Sequence, residues 1–317
     1  MRIPRSQRIF GPVPSRRLGS SLGIDVIPHK TCSFDCVYCE CGATTDKTCE
    51  RREFYPVREL LDELESHLSL MEEKPDVVTL SGSGEPTLYG PLGELIDGIK
   101  RIAALPVAVI TNSSLLWMPD VREELSRADV ALPSLDAAVE DAFRRINRPH
   151  ELCGLARIVE GLERFLEQYR GTALLEILLI EGYNTDAANL EALKTAIGRL
   201  RVDRIQLNTA VRPGTERRIE PLDAESMGRI RDFFGPRCEV IASAKTTRMR
   251  HEERILVGIV MPMLDRRPCT ANDIGAVLGI ALPDVARLMN DLKAEGKVTE
   301  REYGGVVFYS SAPGKKD

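Results

Sequence analysis

The stretch KTCSFDCVYCECG, residues 30–42, sets four cysteines into ten positions. Cys32, Cys36 and Cys39 are spaced C-x3-C-x2-C, and Cys41 and Cys49 follow. Four chemistries use thiols grouped in this way. Covalent haem attachment needs C-x-x-C-H, and Glu40 stands where the histidine belongs. Structural zinc closes a tetrahedron with a second C-x2-C or a histidine pair. Here His29 and His67 are not so spaced, and the Cys41–Cys49 gap is too wide. A thioredoxin-type pair of Cys36 and Cys39 leaves Cys32 unexplained. An iron–sulfur cluster usually takes four thiolates. A compact set of three leaves one iron open to a further ligand. Chance or buried structural thiols are usually single rather than grouped in a polar loop.

With Tyr38 just before the third cysteine, the spacing resembles the signature of the radical S-adenosylmethionine (radical SAM) enzymes. The wider run FGPVPSRRLGSSLGIDVIPHKTCSFDCVYCECG is similar to the branch related to the wybutosine-synthesis enzymes of tRNA. The resemblance covers roughly residues 10–245. It implies a 4Fe–4S cluster on Cys32, Cys36 and Cys39, with the free iron chelated by the methionine amino and carboxylate groups of S-adenosyl-L-methionine (SAM). An electron from the reduced cluster then breaks a C–S bond, and a 5′-deoxyadenosyl radical abstracts hydrogen from substrate. The cofactors carry that chemistry, while the protein binds, orients and excludes water. The resemblance also implies a low-potential electron donor of ferredoxin or flavodoxin type.

SGSGEPT, residues 81–87, looks like the GGEP motif of that superfamily, with Ser83 in place of the first glycine. Ser83, Gly84, Glu85, Pro86 and Thr87 are therefore expected to bind the methionine ammonium, Glu85 supplying the carboxylate. A plain glycine turn is the bland alternative. Tyr38 is expected near the adenine, with a core aromatic as its alternative. Asn112, Ser134, Asp136 and Asn208 close expected strands and could hydrogen-bond ribose or carboxylate. N-cap preference selects the same residue types. Two basic segments, AFRRINRPH and VRPGTERR, offer Arg148 and Arg212 as substrate contacts. Guanidinium forks suit carboxylate or phosphate, although most surface arginines are merely solvated.

Something must hold these residues at one face. PVRELLDELESHLSLMEEK (56–74) carries apolar residues at helical spacing, and DVVTLSG (76–82) reads as a buried parallel strand. Helices follow near 91–103, 119–127, 138–146, 152–169, 189–200 and 222–234. Strands are expected over 106–112, 128–136, 172–180 and 202–208, with an early one over 21–27. Six strand–helix steps imply an α/β parallel sheet with right-handed crossovers. This fits a partial (β/α)6 barrel, which the resemblance also implies, with chemistry at the C-terminal strand ends. Beyond residue 250 the pattern changes. A helix over 251–265 with a proline-marked kink or break, two more helices and a hairpin at Gly304-Gly305 read as a small winged-helix domain. The expected domains are 1–245 and 251–311.

Composition limits the roles. The chain has 317 residues, 43% hydrophobic and 29% charged, a profile of an ordinary globular protein. No run of about 18 apolar residues could span a bilayer, and the N-terminus lacks a signal-peptide core, so a cytoplasmic location is expected. A net charge of −5 argues against general nucleic-acid affinity. Residues 251–317 hold nine Lys+Arg against ten Asp+Glu, which disfavours specific DNA binding by the winged helix. The alternative function is an iron–sulfur or zinc redox-sensing regulator acting through that module. For an enzyme the substrate stays open. A tRNA base is one candidate, its phosphates met by Arg2, Arg5, Arg8, Arg16 and Arg17 and by the segment from Arg212 to Arg218. Against it, relatives of that branch are expected to hold a second cluster with cysteines upstream of the first, and none precedes Cys32. Cys41 and Cys49 could join a remote thiol (Cys153, Cys238 or Cys269) in an auxiliary cluster; free thiols are the favoured reading.

Overall fold

The short apolar runs of the sequence become strands because helices bury one face of the sheet in the main apolar cluster, while Val77, Ala108, Leu132 and Leu174 of the other face pack in a second one. A computed structural model describes residues 8–15, 17–71, 73–216, 218–241 and 253–312. The chain enters on β1 (Ile9–Ser15) and returns antiparallel as β2 (Gly19–Ile24). The cysteine loop follows, bracketed by a two-residue parallel pair, β3 (Thr31–Cys32) and β4 (Asp46–Lys47). Alternation then sets in with α1 (Val57–Ser69), β5 (Val77–Leu80), α2 (Leu92–Ala103), β6 (Val107–Thr111), α3 (Pro119–Leu125) and β7 (Val130–Pro133). It continues through α4 (Glu140–Asn147), α5 (Leu155–Gln168), β8 (Thr172–Leu179), α6 (Ala187–Ile197), β9 (Arg204–Thr209), α7 (Ala224–Phe234) and β10 (Cys238–Val240).

These make one eight-stranded sheet in the order β1-β2-β5-β6-β7-β8-β9-β10, parallel from β2 onward. The six expected strands are β2 and β5 to β9. The sheet gains an edge strand at each end that periodicity did not reveal. IFGPVPS carries two prolines and a glycine, which mask a strand signal but are tolerated at an edge. At the other edge CEV is too short to show any period. All four residues of β5 are buried, as are seven of the eight in β8.

The C-terminal module runs α8 (Glu253–Arg266), β11 (Cys269–Thr270), α9 (Ala271–Leu278), α10 (Leu282–Ala294), β12 (Val298–Tyr303) and β13 (Val306–Ser311). Its sheet order is β11-β13-β12, antiparallel throughout. That element order is compatible with a winged helix. α8 continues through Pro262 rather than stopping there. The lost N–H is offset by packing of Val260, Met263 and Leu264, all buried. Thr270 caps α9 in a full capping box with Asp273. The module has its own apolar cluster, and Val13 of β1 packs against it. Among the described residues no helix is long and apolar enough to cross a membrane.

Candidate cofactor site

The cysteine loop starts where β2 ends, at the C-terminal edge of the parallel sheet. Consecutive turns wind it: Cys39 N donates to Cys36 O at 3.1 Å, and Gly42 N to Cys39 O at 3.0 Å. Neighbouring elements then clamp it. Val37 N donates to Ile146 O at 3.0 Å, and Glu216 N donates to Val37 O at 2.9 Å. Gly214 makes that last contact possible, since a Cβ there would sit 2.7 Å from the Tyr38 carbonyl carbon.

Each of the three motif sulfurs receives an N–H donor from a different element. Asn112 Nδ2 points to Cys32 Sγ at 3.6 Å, Asn147 Nδ2 to Cys36 Sγ at 3.4 Å, and Lys30 Nζ to Cys39 Sγ at 3.1 Å. Burial pushes the Cys32 thiol up to about 12, with the nearby Glu85 charge adding to it. Burial and the Asp136 charge push Cys36 up as well. Cys39 goes the other way, to about 6, through a hydrogen bond from Cys41 and the charge of Lys30. Two buried thiols that resist ionisation need a cation to become ligands. Among the described residues no three His, Cys, Asp or Glu side chains gather tightly enough for one metal ion. A 4Fe–4S cube takes one thiolate per iron, and each of the three sulfurs here is braced by its own donor.

The glycine loop lies directly under the cysteine loop. Lys30 N donates to Ser83 O at 2.8 Å, and Glu85 N to Thr31 O at 3.2 Å. Gly84 is the contact point, because a Cβ there would lie 2.0 Å from the Thr31 oxygen. Ser83 Oγ donates to Asp25 at 2.5 Å, and Pro86 and Thr87 form a 3-10 turn capped by Glu85. The Glu85 carboxylate is buried and engaged by the chain itself. Its Oε1 accepts from Thr87 N at 3.0 Å and from the Thr87 and Thr111 hydroxyls, each at 2.6 Å; Oε2 accepts from Asn112 N at 2.8 Å. It thus ties the ends of β5 and β6 together, with Oε2 the less occupied oxygen.

Asn112, Ser134, Asp136 and Asn147 line a small hollow behind the cysteines. Asp136 accepts from the Tyr38 hydroxyl, from Asn147 Nδ2 at 2.8 Å and from Leu178 N at 2.9 Å. Burial raises it to about 6 despite these donors. Asn208 Nδ2 donates to Glu176 Oε1 at 3.0 Å, and Glu176 also pairs with Arg17. Arg148 pairs with Glu216 at 2.6 Å and does not line the large cavity described next; Arg212 does.

That cavity, about 740 Å³, lies between the mouth of the sheet and the C-terminal module. Phe10, Ser21, Thr79, Gly82, Gly84 and Cys41 form one wall, and Met263, Arg266, Arg267, Asn272 and Asp273 the opposite one. Charges join the two. Arg212 sits between Glu40 at 3.4 Å and Asp273 at 3.2 Å, Arg267 reaches Glu40 at 3.8 Å, and Arg266 reaches Asp25 at 3.5 Å while covering the Phe10 ring. Sequence reasoning missed Lys30, Asp25, Asn147 and Glu176. Asp25 and Glu176 had a signal, each being a carboxylate inside an otherwise apolar strand run. Arg2, Arg5, Arg16 and Arg217 lie outside the described residues.

Comparison with known proteins defines the class. A family description for the radical SAM superfamily matches residues 26–193, and the chain belongs to that superfamily. It is an enzyme of that class, with a 4Fe–4S cluster and SAM as its cofactors. Within it, a UPF0026 protein of Methanocaldococcus jannaschii is 33% identical over 95% of this chain and 94% of its own, so the chain is a member of the UPF0026 family. A protein of Brachyspira hyodysenteriae named GTPase Obg is 35% identical over 96% of this chain, which spans only 45% of that protein. The fold is shared with TYW1 bearing a lysine–pyruvate adduct (21% identity, TM-score 0.55, 71% of this chain and 75% of that one). It is shared also with a radical SAM methyltransferase from Sphaerobacter thermophilus (16%, TM-score 0.54, 69% and 65%).

Proposed function

We propose that Cys32, Cys36 and Cys39 hold the cluster, and that the enzyme abstracts a hydrogen atom from a small substrate held in the cavity beneath the C-terminal module. The observation that carries this is the trio of sulfurs, each met by its own N–H donor at the C-terminal edge of a parallel sheet. When bound, the cluster and SAM together supply reductive C–S cleavage and the 5′-deoxyadenosyl radical. The chain's residues bind and orient. Ser83 to Thr87 form the floor for the methionine end, with Glu85 Oε2 as the carboxylate oxygen open to a further donor. Asn112, Ser134, Asp136 and Asn208 are the remaining polar groups offered to the cofactor, and Tyr38, fixed by its hydroxyl on Asp136, is the aromatic beside it. Arg212, on the cavity wall, is the stronger of the two substrate-contact candidates, and Arg148 the weaker. Residues 251–311 act as a separate lid domain whose charged contacts exclude water from the cavity.

A volume near 740 Å³ is that of a site for a drug-sized molecule. A tRNA base is the second reading, favoured by the fold shared with TYW1; it requires the lid to swing away, and Arg8 and Arg17, held by Glu59, Glu63 and Glu176, do not add to it. A ferredoxin- or flavodoxin-type protein supplies electrons, in the cytoplasm. Paramagnetic resonance of the reduced, reconstituted enzyme tests the assignment. Saturating SAM should shift the cluster signal in the wild type. An unchanged spectrum would remove the proposed open iron.

A further inference from the structure

Five thiols lie outside the proposed cluster set, and two of them meet. Cys49 and Cys153 are 104 positions apart in sequence, yet their Sγ atoms stand 3.2 Å apart. The fold imposes this meeting from both sides. Cys49 follows β4, where Thr48 N donates to Cys32 O at 3.0 Å. Cys153 lies in the link between α4 and α5, where His150 N donates to Ser33 O at 2.8 Å and Cys153 N to His150 O at 2.9 Å. Both segments are therefore pinned to neighbouring carbonyls at the end of β3, and this brings the two sulfurs together. Cys153 is 2% exposed, whereas Cys49 is only partly buried.

Two thiols supply half of a tetrahedral metal site, and among the described residues no third ligand joins them. A dithiol is the chemistry left. We propose that Cys49 and Cys153 form a redox-active pair that is oxidised to a disulfide by low-molecular-weight disulfides. A disulfide of about 2.05 Å requires the sulfurs to close by only about 1 Å. In a reducing compartment such a bond is transient and responds to the thiol pool.

The exchange balances as follows. The Cys49 thiolate attacks one sulfur of the oxidant, forming a mixed disulfide and releasing one thiolate, which takes a proton. Cys153 then loses its proton and attacks the Cys49 sulfur, releasing the second thiol. The oxidant is reduced to two thiols, and the two cysteines lose two electrons and two protons. Exposure assigns the order, since only Cys49 can be reached first. The hydrogen bond from Cys153 also lowers the Cys49 pKa, which favours Cys49 as the attacking group. The bond would tether the segment after β4 to the α4–α5 link, both of which are hydrogen-bonded to the Cys32–Ser33 backbone. This inference does not depend on which residues bind SAM.

The test incubates the cluster-loaded enzyme, under argon, in buffers of increasing oxidised-to-reduced glutathione ratio, then alkylates free thiols and maps peptides by mass. The wild type should yield a linked Cys49–Cys153 peptide pair, about two mass units lighter than the two reduced peptides, at a single midpoint. Cys49→Ser should leave Cys153 reduced throughout. Cys153→Ser should stop with glutathione on Cys49. Iron content equal to the wild type in both variants shows that they fold. Independent alkylation of both residues at every ratio, or a stable glutathione adduct on wild-type Cys49, would overturn the proposal. Loss of the SAM-dependent spectral shift with the linked peptide intact would overturn the cofactor assignment instead.

Discussion

Asp136 shows what burial does to a carboxylate beside this site. It accepts three hydrogen bonds and is 3% exposed, yet its pKa stands raised from 3.8 to about 6. A carboxyl group that binds its proton more tightly when folded stabilises the fold below its unfolded value, and that contribution is lost as the pH rises through the folded value. In cluster-free protein, wild-type stability relative to Asp136→Asn should therefore fall between about pH 4 and 7, by up to about 3 kcal/mol. Denaturant midpoints at each pH check it; parallel profiles would show that Asp136 ionises normally. Glu85 behaves as a knot rather than a free ligand. Glu85→Gln places an amide donor among four donors, and the mismatch should cost about 1–3 kcal/mol. A lower denaturant midpoint with an unchanged slope would register that cost. From sequence, GEP showed that a carboxylate sits there, but not that Thr87, Thr111 and Asn112 would already be bound to it. Thr87 lies two residues on in the same turn, but Thr111 and Asn112 come from the end of β6, and no spacing rule links that strand end to Glu85.

At the scale of elements, the parallel strands were legible because full burial leaves continuous apolar runs with β-branched residues. The helices were legible because their inward faces repeat at helical spacing, as at Val57, Leu60 and Leu64 of α1. β1 was not legible, since an edge strand tolerates the prolines that argue against a strand. Asn147 was not legible either. It ends α4 and meets Cys36 only because Val37 is tied to the last turn of that helix. The stacking of the glycine loop on the cysteine loop is likewise a tertiary fact, and it rests on Gly84. Gly84→Ala would drive a methyl group into the Thr31 oxygen, so the two loops must separate. Iron content after reconstitution should drop several-fold, with far-ultraviolet dichroism retained. Normal iron loading in this variant would mean that the loops are not coupled.

For the whole molecule, the cavity joins the sheet mouth to the C-terminal module, and its walls are held together by ion pairs rather than by one continuous apolar core. Partly buried pairs of this kind are sensitive to loss of one partner, which leaves the other charge uncompensated. Arg266→Ala should therefore loosen the contact with Asp25 and Phe10. Amide exchange in β1 and α9 should rise by about tenfold, the effect of roughly 1.4 kcal/mol on local opening. Unaltered exchange there would mean that apolar contacts such as Val13 suffice. Everything else in the account depends on where the iron sits. The decisive measurement is iron, sulfide and 5′-deoxyadenosine in wild type and in the Cys32→Ala/Cys36→Ala/Cys39→Ala variant, reconstituted without oxygen and reduced with dithionite in the presence of SAM. The wild type should hold about four irons and four sulfides per chain and release the nucleoside, and the variant should do neither. A variant that keeps its iron and still cleaves SAM, or a wild type that holds one zinc and no iron, would contradict the account.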